Sequence, residues 1–409
     1  MKLRERIGVQ WRGDFAILVR GGIELRSIRG EFHRGVRISG AVVCLLIAGA
    51  SLAGQINRRD RLTEPSPELR RSVPAAAAKY KIPGIAAALI DHGQVRDVVV
   101  FGVRDKKSSA PMTENTVFEA ASLSKPVFAY AVLRLAADGK FNLGVPLTKY
   151  LPMPYKRELN PFQPESMLKT DFIDDPRLNQ ITAMRVMNHT SGMPNWVRDQ
   201  HMRLLFSPGD GWSYSSEAYV YLQRAVEKAT GQPLDALAEE FVLGPFGMGH
   251  SSFVWRAEYT PILATGYDRE GKAVAATRYL RPVAASTLYT TLDDYARFVG
   301  GILASSERQR SHEYAVSLML QPTVEVDKTL GLWWGEGWGL ENLGGEQYFF
   351  HWGANPGFQN FVMASRKSGK GVVIFTNSGN GLEAAREVVE ATLGGEHPVF
   401  KFRLLHPND

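Results

Sequence analysis

The chain has 409 residues, 44% of them hydrophobic, which is enough to bury a large core in one to three domains. Its formal charge is +6, but residues 1–37 hold nine Lys/Arg against four Asp/Glu, so the remainder is close to neutral and nucleic acid is excluded as a partner. The single cysteine, Cys44, excludes a disulfide framework, and the histidines are scattered without metal-ligand spacing, so neither a metal nor any other cofactor is expected.

In chain order, the basic region 1–37 leads into an apolar segment, Ile38–Gly54, at the lower length limit for crossing a bilayer. Its basic flank reads as cytoplasmic under the positive-inside rule, and its small-residue end, Ala48-Gly-Ala-Ser-Leu-Ala53, resembles a signal-peptidase site. Either reading, anchor or signal, places everything after residue 55 in an extracytoplasmic or periplasmic space, with the inner membrane as partner of residues 38–54. No lipobox precedes Cys44. Residues 55–74 read as a tether. Ile85–Asp91 and Val95–Val103 are strand-like runs joined by the hairpin signal Asp91-His-Gly-Gln94.

Residues 122–137 predict a helix, with Phe128, Ala131, Val132 and Leu135 on one face and Pro126 in the first turn. It presents Ser122 and Lys125 one turn apart, a hydroxyl beside an amine able to hold its proton. Residues 146–294 are rich in helical segments and loops, with Pro152–Pro176 the least regular part and read as surface loop near the site. Tyr214-Ser-Ser216 precedes a helix from about Glu217 to Thr230, whose apolar face is Ala218, Leu222, Ala225 and Val226, with Gly231 as C-cap. After an apolar helix at Tyr295–Ala304 come four antiparallel candidates, Gly331–Glu341, Gln347–His351, Phe358–Ser365 and Gly371–Asn377, and a final helix near Gly381–Leu393. His351-Trp-Gly353 ends one of these strands, with a glycine that admits a ligand to the backbone. Strands from both ends of the domain thus enclose a mainly helical insertion.

Taken together, Ser122-Leu-Ser-Lys125, Tyr214-Ser-Ser216 and His351-Trp-Gly353 resemble the three motifs of the penicillin-recognising serine hydrolases. The likeness is to the branch holding class C β-lactamases, D-alanyl-D-alanine carboxypeptidases and β-lactamase-like esterases. Val117-Phe-Glu-Ala-Ala-Ser122, Met187-Asn-His-Thr-Ser-Gly-Met193, Thr290-Thr-Leu-Asp-Asp294 and Gly371–Asn377 extend it over roughly residues 75–395. The resemblance implies an α+β, β-lactamase/transpeptidase-like fold: an antiparallel sheet flanked by helices, with an inserted mainly helical lobe. The expected catalytic domain is 75–398, its α/β lobe 75–145 and 295–398 and its helical lobe 146–294. The cleft between them is expected to receive Ser122 from the central helix, Tyr214 from the helical lobe and His351 from the sheet edge.

The resemblance also implies roles. Ser122, Lys125 and Tyr214 are the expected catalytic set, and His351, Gly353, Ala354 and Ser216 the expected substrate and oxyanion contacts, the oxyanion donors being the N–H groups of Ser122 and Ala354. Ser216 stands where a class C β-lactamase has an asparagine, and His351 where it has a lysine. Both changes weaken recognition of a β-lactam, so the leading reading is an acyl-enzyme hydrolase of esterase type acting on a small-molecule ester, amide or peptide. The rivals are a D,D-carboxypeptidase or weak β-lactamase and, from another class, a catalytically silent sensor or scaffold. The tryptophans 333, 334, 338 and 352 read as packing for the sheet rather than as cleft wall.

Overall fold

Strand β1 (Gly84–Asp91) is buried along nearly its whole length, as an unbroken apolar run requires when both faces of a strand are covered. Ala86, Ala88 and Ile90 enter one core while Ile85, Ala87 and Leu89 enter another, following the two-residue period. The computed structural model describes residues 65–305 and 309–406. Among them β1 pairs with β2 (Gln94–Asp105), reached through a tight turn in which His92 (φ 45°) and Gly93 (φ 78°) are both left-handed. The described sheet has nine strands: β3 (Ala110–Pro111), β2 and β1 are followed by β13 (Lys370–Thr376), β12 (Phe358–Ala364), β11 (Glu346–Asn355), β10 (Gly339–Leu343), β9 (Leu332–Trp334) and β8 (Val324–Asp327). All of its pairings are antiparallel. The fold is therefore α+β, with the sheet drawn from both ends of the domain.

Helices α1 (Pro67–Lys79) and α8 (Gly381–Leu393) cover one face. On the other lie α2 (Ser124–Ala137), α6 (Leu292–Leu303) and α7 (Arg310–Leu320). The short strands β4 (Val117–Glu119), just before α2, and β7 (Tyr289–Thr291), just before α6, pair with each other, and between α2 and α6 lies the hairpin β5 (Tyr155–Glu158)–β6 (Thr170–Ile173). Helices α3 (Ala183–Met187), α4 (Ser216–Thr230) and α5 (Leu234–Ala238) complete this part. Helix α4 ends on Gly231 in the left-handed conformation, as expected.

Four sequence expectations change. The stretch 55–74 is not all tether, since α1 begins at Pro67 and buries Leu69 and Val73. The domain does not stop at 398: Val399, Phe400, Phe402 and Leu405 pack into the core beneath α1 and α8. Gly331–Glu341 is two strands, because the chain turns at Gly337 (φ 95°), where a Cβ would lie 2.7 Å from that of Ala129. Pro152–Pro176 is more than surface loop, since its hairpin buries Tyr155, Arg157 and Ile173. The basic region 1–37 and the segment 38–54 lie outside the described residues. No helix among those described is long and apolar enough to cross a membrane.

Arg157 has a structural task. It is buried and reaches Glu217 in the first turn of α4 through Nη2 (2.6 Å) and Nε (3.0 Å), with further bonds to the carbonyls of Val197 and Gln200. The pair fastens the β5–β6 hairpin to the helix end that carries Ser216. Removing one partner of a buried ion pair strands the other charge, so Arg157→Ala should lower unfolding stability by about 3–5 kcal/mol. Chemical denaturation checks this; a change below about 1 kcal/mol would show that the pair contributes nothing net.

Candidate active site

Ser122 is not in the helix itself. It occupies the 3₁₀ turn Ala121–Leu123 between β4 and α2, and it is partly exposed. Ala121, just before it, is forced to φ 52°, a conformation that costs an L-residue about 1–2 kcal/mol. Several bonds hold the turn. Ser124 Oγ donates to the Ala121 carbonyl (2.6 Å) and accepts from the Leu288 N–H (3.0 Å), and Tyr295 Oη donates to the Leu123 carbonyl (2.9 Å). Gly353 of β11 lies against the same turn, where a Cβ would come within 2.2 Å of the Ala120 carbonyl. The glycine expected to admit a ligand instead admits the backbone of the nucleophile turn.

Lys125 is fully buried, and its Nζ lies within hydrogen-bond distance of Ser122 Oγ (3.0 Å), Ser216 Oγ (3.1 Å) and the Ala285 carbonyl (2.9 Å). Its nitrogen sits 4.8 Å from the ring centre of Tyr214 and 5.6 Å from that of Tyr219. Burial holds the Lys125 amine well below its ordinary pKa. Ser216 is buried and turned onto Lys125, so the expected substrate contact is a lysine partner instead.

Tyr214 is gripped by His189 from both sides. The His189 carbonyl accepts from the Ser213 N–H (3.0 Å) and its Nδ1 accepts from the Ser215 N–H (3.1 Å). That second bond requires a neutral imidazole. His189 is itself left-handed (φ 62°), which turns its ring 4.4 Å from that of Tyr214. Trp352 stacks on Tyr214 at 5.2 Å. The Tyr214 hydroxyl is buried without an aligned hydrogen bond; burial raises its pKa above the ordinary phenol value, and the neighbouring Ser122 hydroxyl opposes the rise.

His351 comes from an interior strand, not the sheet edge, because β11 is paired with both β10 and β12. It is fully buried, and its Nδ1–H donates to the Trp352 carbonyl (2.8 Å), leaving Nε2 as an unpaired acceptor. Burial, then the Lys125 charge, push its pKa down to about 3, so it is a neutral ring rather than a cation. His189 is lowered by the same causes. Ala354, the next position after Gly353, is exposed at the mouth of this arrangement. The structure thus brings Ser122, Tyr214, Ser216 and His351 around the Lys125 amine, with Gly353 against the turn that carries Ser122. Sequence reasoning missed His189 and Ser124 as supports; the Met187–Met193 segment was the signal for the first, and nothing local marked the second. Of the tryptophans, 334, 338 and 352 are buried and pack the sheet as read.

The fold is that of the penicillin-recognising serine hydrolase superfamily. A profile of the beta-lactamase family matches residues 69–393, and the chain belongs to that family. It is 31% identical over 208 residues to the esterase EstB of Burkholderia gladioli, a match covering 44% of this chain and 49% of that protein. It is 27% identical over 254 residues to a beta-lactamase of Pseudomonas fluorescens, covering 62% of this chain and 69% of that one. The chain therefore spans about half the length of the first relative. Its fold is similar to that of a D-alanine carboxypeptidase AmpC from Burkholderia cenocepacia (TM-score 0.68, 20% identity, 80% of this chain and 97% of that chain covered). An octameric penicillin-binding protein homologue from Pyrococcus abyssi is comparable (TM-score 0.65, 22% identity, 83% and 79% covered). The chain accordingly has the β-lactamase fold.

Lys125→Ala and Tyr214→Phe should each lower kcat by roughly 10²–10⁴ with little change in substrate binding, and their effects should not add, since both act on one proton. In the unaltered protein kcat/KM should rise with pH as the amine loses its proton, with a midpoint below the ordinary lysine value. Steady-state kinetics across pH test both points; wild-type turnover by Tyr214→Phe would remove the phenol from the reaction.

Proposed function

We propose that the protein is an esterase-type serine hydrolase working through an acyl-enzyme on Ser122. The observation that carries this reading is the hydrogen bond from a fully buried lysine amine to the Ser122 hydroxyl (3.0 Å). Ser122 Oγ attacks the ester carbonyl while its proton passes to the neutral Lys125 amine, directly or through Tyr214. The N–H groups of Ser122 and Ala354 stabilise the oxyanion. Collapse breaks the ester C–O bond, and the leaving alkoxide takes the proton back. Water then repeats the sequence on the acyl group and frees Ser122.

An ester is favoured over a β-lactam because His351 is neutral and buried and Ser216 is occupied by Lys125. Neither is free to pair with an antibiotic's carboxylate or acylamido group, and losing such paired contacts forfeits several kcal/mol of discrimination. EstB, with which the chain shares 31% identity, is named as an esterase. The beta-lactamase of Pseudomonas fluorescens keeps weak β-lactam or D-Ala-D-Ala peptide cleavage as the second reading. A silent scaffold is disfavoured by the intact Ser122, Lys125 and Tyr214 set. From its basic flank, the apolar segment Ile38–Gly54 supports an extracytoplasmic site of action, with that segment in the membrane or cleaved.

Ser122→Ala should abolish both hydrolysis and labelling by a fluorophosphonate probe. With p-nitrophenyl butyrate, nitrocefin and a D-Ala-D-Ala peptide assayed in parallel, the butyrate ester should have the highest kcat/KM; equal or faster nitrocefin cleavage would reverse the assignment. Cell fractionation should place the full chain in the envelope, with residues after 55 open to protease added from outside. A soluble cytoplasmic protein with its N-terminus intact would contradict that placement.

A further inference from the structure

Glu119 is a buried carboxyl group to which the reaction above assigns nothing. It ends β4, three residues before Ser122, and its side chain crosses to two other segments. Its Oε2 accepts from Asn355 Nδ2 (2.8 Å) at the end of β11 and from Tyr279 Oη (3.3 Å), and Asn355 Nδ2 also lies 3.3 Å from Tyr279 Oη. Its main chain is tied as well: the Glu119 carbonyl accepts from Asn360 Nδ2 of β12 (2.9 Å). Each segment it joins carries a group of the site. The turn after β4 holds Ser122, the residue before Asn355 is Ala354, and the loop that begins at Tyr279 runs on to Ala285, whose carbonyl accepts from Lys125.

We propose that Glu119 is a positioning residue: as a carboxylate it holds the end of β11 that carries Ala354 against the turn that carries Ser122, setting the width of the oxyanion hole. This rests on the esterase reading of the same site. Two donors meeting on one carboxylate oxygen matter here because a misplacement of about 1 Å at the reacting centre costs up to about 10²-fold in rate. The junction also has a proton dependence. Burial raises the Glu119 pKa to about 7, while the bonds from Asn355 and Tyr279 pull it back. The groups facing it are neutral at that pH: Asn355 from β11, Tyr279 from the loop and, across the β4–β7 pair, Tyr289, whose phenol is raised by burial and by the Glu119 charge. Arg198 bears on the junction through Tyr279, whose phenol its charge lowers. As pH falls through about 7, the carboxylate that both donors share becomes neutral and the junction loosens.

The test is the pH dependence of Ser122 acylation by a fluorophosphonate and of p-nitrophenyl butyrate turnover, from pH 5 to 9. Unaltered protein should show an ionisation near 7 on the acid limb, beyond the one belonging to Lys125. Glu119→Gln, which keeps the shape but not the charge, should lose that ionisation and run roughly tenfold or more slower above pH 7, as expected for one charge-assisted hydrogen bond. The loss should fall on kcat rather than KM. Tyr279→Phe removes a bond that favours the carboxylate, so it should move the same midpoint upward, which covers the case where Glu119→Gln folds poorly. An unchanged acid limb in Glu119→Gln, or an unmoved midpoint in Tyr279→Phe, overturns the inference alone. No labelling of Ser122 at any pH overturns the esterase reading and this inference with it.

Discussion

A lysine amine with no access to water is the constraint from which the site follows. Among the described residues no carboxylate pairs with Lys125, so its charge is met only by two hydroxyls, one carbonyl and two aromatic faces. Desolvation favours the neutral amine over the ammonium. The same surroundings accept the proton when it arrives. The Tyr214 and Tyr219 rings lie where cation–π attraction favours an ammonium, an interaction worth about 2 kcal/mol or more once desolvated. The preference for the neutral amine and the tolerance of the ammonium are both properties of one dry pocket.

The acceptors around that amine come from distant parts of the chain, so the fold must hold them to hydrogen-bond tolerance. The nucleophile turn is the strained piece, with Ala121 in a left-handed conformation. Strain of this kind persists only where neighbours over-determine it. Here the neighbours are Ser124, Leu288, Tyr295 and the side-chain-free surface of Gly353. Tyr214 is fixed differently, by two bonds to one residue, His189, on either side of it. Arg157 and Glu217 then brace the start of α4. Each of these supports helps set where the Ser122 and Tyr214 hydroxyls stand.

What the sequence disclosed follows the range of each interaction. Ser122 and Lys125 were legible because their geometry depends on three residues of local spacing, and α4 because its apolar period and Gly231 are local too. The sheet was legible as a set of runs, with Gly331–Glu341 misread because a mid-run glycine at φ 95° answers to Ala129, a residue far away in the chain. The bond from Lys125 to Ser216 stayed hidden for the same reason. The two are 91 positions apart, and a serine in a motif does not announce which way its hydroxyl turns. Arg157 looked like part of a loop because nothing beside it in sequence is its counter-ion. Position along β11 likewise hid that His351 is interior.

The neutrality of His351 bears on Lys125 as well as on substrate choice. Lys125, His189 and His351 are three basic side chains in one buried cluster, and Lys125 lowers the pKa of both rings. Burial, then the Lys125 charge, keeps both imidazoles neutral, His351 having been pushed to about 3. Like charges close together disfavour joint ionisation, so a fixed cation at position 351 would press further on Lys125. With a neutral ring there, burial is left as the cause that lowers the lysine. How dry the pocket is thereby sets how readily Lys125 gives up its proton, a control that the fold itself imposes.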